Sequence, residues 1–321
     1  TNIFTSEIIR YHGFPSEEYE VPTEDGYILG VFRIPSGRNS HNKPAVLLHH
    51  GFLSDSIHWI ANLPNNSLGF ILADAGYDVW LGNSRGDTWS LKHKTLKPCQ
   101  KEFWQFSFNE MGKYDIPAEL NFIMNKTGQK DVYYIGHSEG SAAGFIALST
   151  YPDMPQKIKA FFALAPVTTI THSTSPLITI YDAQGLHSFI LSQHWISAFT
   201  TLLLCLQSRT DSYTGHYPAG TSVQNIIHWH MAFYPTGSLF PVLQTAPPEY
   251  KIEEIKVPTA VWSGGQDKFA DPKDIARLLP RITNLIYHEH FPTWGHLDFL
   301  WGLDAAEKMY LKIIELLKKY A

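Results

Sequence analysis

Charged residues are scarce in this sequence: Asp, Glu, Lys and Arg fill 17 % of its 321 positions, against about 25 % in an ordinary globular chain. The shortfall is local. From Pro166 to Tyr250 the only four are Asp182, Arg209, Asp211 and Glu249, and the other 51 lie outside that stretch. A segment so poor in charge packs as a buried layer, the ordinary outcome, or presents an apolar, weakly hydrated surface. There is no basic excess: 25 Lys and Arg against 30 Asp and Glu leave −5 with histidine neutral, which excludes the electrostatic footprint of a nucleic-acid binder. Nor is there a long apolar run. The nearest approach, Ala198 to Leu206, is nine residues even with Thr200 and Thr201 counted in, half of the roughly 18 a spanning helix needs, so a soluble chain without a transmembrane segment is expected. Two cysteines, Cys99 and Cys205, exclude a disulfide scaffold. Internal repeats and low-complexity tracts are absent, as is an N-terminal Met or a charged n-region leading into an apolar run, so Thr1 reads as the start of a processed chain or of an expression fragment.

What is present is an alternation of strands and helices. Tyr19 to Ile34 reads as two strands around an Asp25-Gly26 turn. Ala45-Val-Leu-Leu48 is apolar on both faces, as a strand inside a parallel sheet must be, and ends in His49-His50-Gly51. The rhythm continues with a helix from Ser67 to Ala75, a strand from Tyr77 to Leu81, a helix around Asp115 to Met124, a strand from Val132 to Ile135, a helix from Ser138 to Ser149 and a strand from Ala160 to Ala165. After the uncharged stretch it resumes with a strand from Thr259 to Trp262, a helix from Asp271 to Leu279, a strand from Asn284 to His288 and a last helix from Asp304 to Tyr320. Such spacing predicts an α/β fold with a mostly parallel sheet and helices on both faces. The core then comes in two parts, 1–165 and 256–321, and residues 166–255 read as an insertion over the carboxyl ends of the strands, where open sheets bind ligands.

The sharpest motif is Gly136-His137-Ser138-Glu139-Gly140, with a strand before it and a small-residue helix after it. Glycines at both ends let the chain turn sharply enough to hold Ser138 above the sheet in a strained conformation; without that context the same five residues are a plain turn with a capping serine. A nucleophilic serine needs a base, and the base an orienting acid, in the chain order serine, acid, histidine. Asp267, after the strand Thr259 to Trp262, is the preferred acid; its rival Asp271 precedes Pro272, the pattern of a helix N-cap. His296, in the loop Phe291 to His296 before the last helix, is the preferred base over His288 and His290, which fall in or just after the last strand. Oxyanion donors are main-chain amides, one following the nucleophile and one in the loop after an early strand, hence Glu139 and Phe52. A carboxylate at Glu139 would oppose a nearby oxyanion unless turned away or paired. No metal or organic cofactor is called for. Asn65-Asn66-Ser67 and Asn125-Lys126-Thr127 offer possible N-glycosylation at Asn65 and Asn125, and the 16 histidines would carry the formal charge to about +11 on full protonation.

These motifs, together with His50-Gly-Phe-Leu53, the stretch from Asn62 to Gly86, Ala219-Gly-Thr-Ser-Val-Gln-Asn225 and His296-Leu-Asp-Phe299, closely resemble the acid lipases of the gastric and lysosomal acid lipase family. The resemblance implies an α/β-hydrolase core, a cap with a lid between the sixth strand and the acid, and hydrolysis of triacylglycerols or sterol esters. It places the family's nucleophile on Ser138, its acid on Asp267, its base on His296 and its oxyanion amides on Phe52 and Glu139. It also implies a secreted or lysosomal protein that acts on lipid esters at a lipid–water interface. Three departures stand out. Glu139 replaces a Gln, Trp294-Gly295 replaces a Tyr-Asn or similar pair, and Ser138 and Asp267 are only 129 residues apart, a few tens short, so the cap is expected to be cut down. The family's lid disulfide has no counterpart, since Cys205 is the sole cysteine of that region. The expectation is therefore a serine esterase or lipase; its competitor, suggested by Glu139 and the trimmed cap, is a lipase relative kept as a carrier of apolar ligands.

Overall fold

A computed structural model describes residues 4–35, 43–175, 216–233 and 250–321. The sheet is built from β1 (Glu17–Pro22), β2 (Tyr27–Ile34), β3 (Ala45–His49), β4 (Asp78–Gly82), β5 (Lys92–His93), β6 (Val132–His137), β7 (Ile158–Leu164), β8 (Thr259–Gly264) and β9 (Leu285–Phe291). Their order is β1-β2-β4-β3-β6-β7-β8-β9, with the two-residue β5 on the flank of β2. β1 and β2 form the expected hairpin, Gly26 taking the positive φ of the turn. From β4 to β9 every pairing is parallel. Parallel strands need covered faces, and all residues of β3, β4, β6 and β8 are buried.

Two apolar clusters fill the faces. One gathers Trp59, Phe70, Trp262, Trp301 and Tyr310; the other Trp80, Phe103, Phe145, Phe161 and Ile282. Each fully buried aromatic withdraws about 150–250 Å² from water, worth roughly 4–6 kcal/mol as an upper figure at about 25 cal/mol per Å².

Element boundaries shift by a few residues from those expected. The helix after Met111–Asp115 runs Ile116–Thr127, and those five residues make a π turn rather than regular helix; Gly112 lets this turn approach Ile146, where a Cβ would come within 2.5 Å. A second π turn, Ala306–Tyr310, precedes the last helix, Leu311–Lys319. β9 extends past His288 to Phe291, so both His288 and His290 lie within the strand. A first helix, Thr5–Tyr11, and a helix within the uncharged stretch, Val223–Phe233, were not anticipated. Cys99 is exposed; Cys205 lies outside the described residues.

The register fixes where the site falls. His49 pairs with Gly136, His137 with Leu164, Leu164 with Trp262 and Gly264 with Phe291. The loops carrying Phe52, Ser138, Asp267 and His296 therefore leave the same edge of the sheet.

Candidate active site

Ser138 occupies φ 54°, ψ −117° between β6 and the helix Glu139–Thr150. A non-glycine residue at such angles is strained and needs its surroundings to hold it there. They do. The Ser138 amide donates to the Leu164 carbonyl at 2.9 Å, and its own carbonyl accepts from Ser141 and Ala142. The glycines are required by contact: a Cβ on Gly136 would lie 2.7 Å from backbone atoms of Gly140, and one on Gly140 would lie 2.3 Å from the His49 carbonyl oxygen. That second approach also draws the loop after β3 against the start of the helix.

From the Ser138 hydroxyl a hydrogen-bonded line runs through His296 to Asp267. Ser138 Oγ is 2.7 Å from His296 Nε2, and His296 Nδ1 is 2.8 Å from Asp267 Oδ2. The Asp267 side chain is wholly buried, and its Oδ1 accepts the amides of Phe269 and Ala270 at 2.8 Å each. The carboxylate thus keeps one oxygen for the imidazole, while the other is locked to the main chain. The competing residues lie elsewhere. Asp271 caps the helix Pro272–Leu278 by accepting from the Lys273 amide. His288 Nε2 and His290 Nδ1 both sit 3.0 Å from Ser263 Oγ on β8.

The two amides expected to hold an oxyanion, Phe52 and Glu139, flank the serine. Gly51 brings the first loop so close that a Cβ there would be 3.0 Å from Ser138 Cβ. Glu139 is the first residue of its helix, where an amide has no partner within the helix. Leu53 next to Phe52 has φ 57°, and its carbonyl accepts from the Ala219 amide at 2.9 Å, so part of the uncharged segment props the loop.

Glu139 is buried, and its side chain is paired with that same segment rather than left beside the serine. Its Oε2 accepts from Asn225 Nδ2 at 2.8 Å and from Trp229 Nε1 at 2.5 Å. Burial raises its pKa above the usual carboxylate value, and the two donors work against that rise. Asn225 is a two-sided clamp, since its Oδ1 also accepts the Phe108 amide at 2.7 Å. Nothing in the sequence around Asn225 marks this duty, because its partners stand 86 and 117 residues away.

A parallel sheet with these loops at one edge defines the α/β-hydrolase class, in which a Ser–His–Asp line of this kind is used for acyl transfer. The chain belongs to the acid lipase family within that class. Residues 44–303 match the family described as "alpha/beta hydrolase fold", and residues 5–63 match "Partial alpha/beta-hydrolase lipase region". The "Lysosomal acid lipase/cholesteryl ester hydrolase" of Macaca fascicularis is 51 % identical over 366 aligned positions, covering 100 % of this chain and 92 % of its own. The human protein of that name is 50 % identical with the same coverage. "Gastric triacylglycerol lipase" of Rattus norvegicus is 45 % identical, covering 98 % and 92 %. The alignment to the first relative spans 45 more positions than this chain has residues, consistent with a shortened chain. Among solved structures, a putative lipase from Acinetobacter baumannii superposes with a TM-score of 0.66 at 16 % identity, covering 98 % of this chain and 94 % of that one. A putative aryl esterase from Burkholderia cenocepacia gives 0.63 at 17 %, covering 95 % and 99 %. At such identities these two speak for the fold alone. No described helix is long and apolar enough to cross a membrane.

Proposed function

We propose that this chain is a serine lipase or esterase that hydrolyses triacylglycerols or sterol esters through an acyl-enzyme on Ser138. His296 Nε2 takes the hydroxyl proton as Ser138 Oγ attacks the ester carbonyl. Asp267 holds the imidazole with its proton on Nδ1 and stabilises the imidazolium that forms. The Phe52 and Glu139 amides donate to the oxyanion. His296 then protonates the leaving alcohol, and a water activated by the same imidazole attacks the acyl carbonyl, returning the proton to Ser138 as the fatty acid departs. The observation that carries the reading is the unbroken Ser138–His296–Asp267 line at 2.7 and 2.8 Å. The printed names of the relatives, a cholesteryl ester hydrolase and a triacylglycerol lipase, supply the ester classes.

In this reading residues 166–255 are a cap inserted between the core parts 1–165 and 256–321; within that span, 176–215 and 234–249 lie outside the described residues. The pairing of Glu139 with Asn225 and Trp229 removes the main motive for a non-catalytic carrier. A secreted or lysosomal setting agrees with the relatives' names and with the exposed side chains of Asn65 and Asn125, both open to glycosylation. The test is release of fatty acid from triolein and cholesteryl oleate emulsions by the wild type and by Ser138→Ala. Turnover that vanishes in the variant supports the proposal; binding of fatty acid without turnover by the wild type overturns it.

A further inference from the structure

His137, the residue between Gly136 and the nucleophile, has no part in the steps above, yet its buried ring is bonded on both sides. Its Nε2 is 2.9 Å from the backbone carbonyl oxygen of His296, 159 residues away. A carbonyl only accepts, so this contact puts the His137 proton on Nε2 and leaves Nδ1 as an acceptor. That Nδ1 faces His58 Nε2 at 3.1 Å, which must therefore carry the second proton. His58 Nδ1 in turn is an acceptor, and two hydroxyls address it: Ser54 Oγ at 2.5 Å and Tyr217 OH at 3.1 Å. One assignment satisfies every contact: both imidazoles neutral, both in the Nε2–H tautomer. Burial favours the neutral form of each, as does the mutual proximity of the histidine rings. The His137 and His296 rings also touch, their centroids 4.9 Å apart, and Trp301 packs on both His58 and Tyr217.

We infer that His137 and His58 are positioning residues for His296: a proton-ordered pair that holds the main chain of the proposed base and connects it, through Tyr217, to the uncharged segment. Without the His137 donor the His296 carbonyl loses its partner, and the loop from Pro292 to Leu297 is free to carry the imidazole away from Ser138. Misplacement by about 1 Å is enough to cost ~100-fold in rate. The pair acts on geometry, so the loss belongs in kcat and not in substrate binding.

The inference rests on the proposed hydrolysis, and its test separates the two. His137→Phe removes both ring nitrogens, whereas His137→Gln returns an N–H donor near the Nε2 position. Expected is a fall in kcat of about 100-fold for the Phe variant with KM within twofold, and recovery of at least a third of wild-type kcat by Gln. His58→Phe is expected to fall between them, because His137 then lacks the donor that fixes its tautomer. A Phe variant within threefold of wild type, a loss confined to KM, or an equal loss with Gln overturns the inference. Nitrogen-15 histidine spectra of the wild type test it independently of turnover and of the variants' folding. Nε2–H tautomers at both 58 and 137 support it, and Nδ1–H or imidazolium at either overturns it. If the wild type hydrolyses no ester, the proposed function fails while these spectra still decide the tautomers.

Discussion

Asp267→Asn is the substitution whose consequence follows most directly from the geometry. Oδ1 of Asp267 accepts the amides of Phe269 and Ala270 at 2.8 Å each, and Oδ2 faces His296 Nδ1 at 2.8 Å. An asparagine must keep its carbonyl oxygen on the two amides, since turning it over would set its NH₂ against two donors. Its NH₂ therefore points at His296 Nδ1, which becomes an acceptor. The proton moves to Nε2, and the nitrogen 2.7 Å from Ser138 Oγ no longer has a lone pair to accept the hydroxyl proton. The same change in serine proteases costs about 10⁴ in kcat, which at 1.36 kcal/mol per decade is about 5.5 kcal/mol of transition-state stabilisation. The fold should be untouched, because the variant keeps both main-chain hydrogen bonds and the same volume. The assay is steady-state hydrolysis of p-nitrophenyl butyrate, run beside the rate of fluorophosphonate labelling; both are expected to fall together while circular dichroism is unchanged. Asp271→Ala is the control, losing only an N-cap worth about 1 kcal/mol of stability with kcat preserved. A loss below tenfold in Asp267→Asn, or an equal loss in the control, would refute the reasoning.

Other outcomes follow from the same structure. Glu139→Gln keeps an oxygen for Asn225 and Trp229 and removes the charge, so kcat is expected to stay within about tenfold while stability changes little; Glu139→Leu orphans both donors and should cost about 1–3 kcal/mol per buried group in urea unfolding. Gly140→Ala would put a Cβ 2.3 Å from the His49 carbonyl oxygen, so soluble expression or labelling at Ser138 should be lost, and normal activity would contradict the role given to that contact. Burial and the neighbouring Asp87 raise Asp55 from 3.8 to about 7. A raised folded pKa gives stability that is complete below the unfolded value and lost as pH climbs through the folded one. Asp55→Asn should therefore flatten the part of the fall in Tm between pH 4 and pH 7, measured by differential scanning calorimetry; an unchanged slope would count against it.

Much of this architecture was legible because it rests on local constraints. The elbow shows in Gly136 and Gly140, which no other residue could replace at 2.7 and 2.3 Å from neighbouring backbone. The covered strands show in runs such as Ala45–Leu48, and the N-cap duty of Asp271 in the proline that follows it. What stayed hidden depends on contacts between distant residues. Nothing near Asn225 announces that its amide meets both Glu139 and the Phe108 main chain, and the two histidines that order each other's protons are 79 residues apart. The π turn at Met111–Asp115 was also invisible, since the close approach that Gly112 permits is to Ile146, a residue distant in the sequence. Glu139 looked out of place beside the nucleophile for the same reason: its partners lie in the helix Val223–Phe233, which sequence pattern did not mark.

The central claim is that Ser138 is the nucleophile in ester cleavage, and covalent labelling addresses it without any assumption about the substrate. The folded chain, treated with a fluorophosphonate and digested, should yield one modified peptide whose fragment ions place the adduct on Ser138, in step with loss of hydrolysis. Heat-unfolded protein and Ser138→Ala should yield none. Full hydrolysis persisting in Ser138→Ala, or an adduct on a different serine in step with inactivation, would contradict the account.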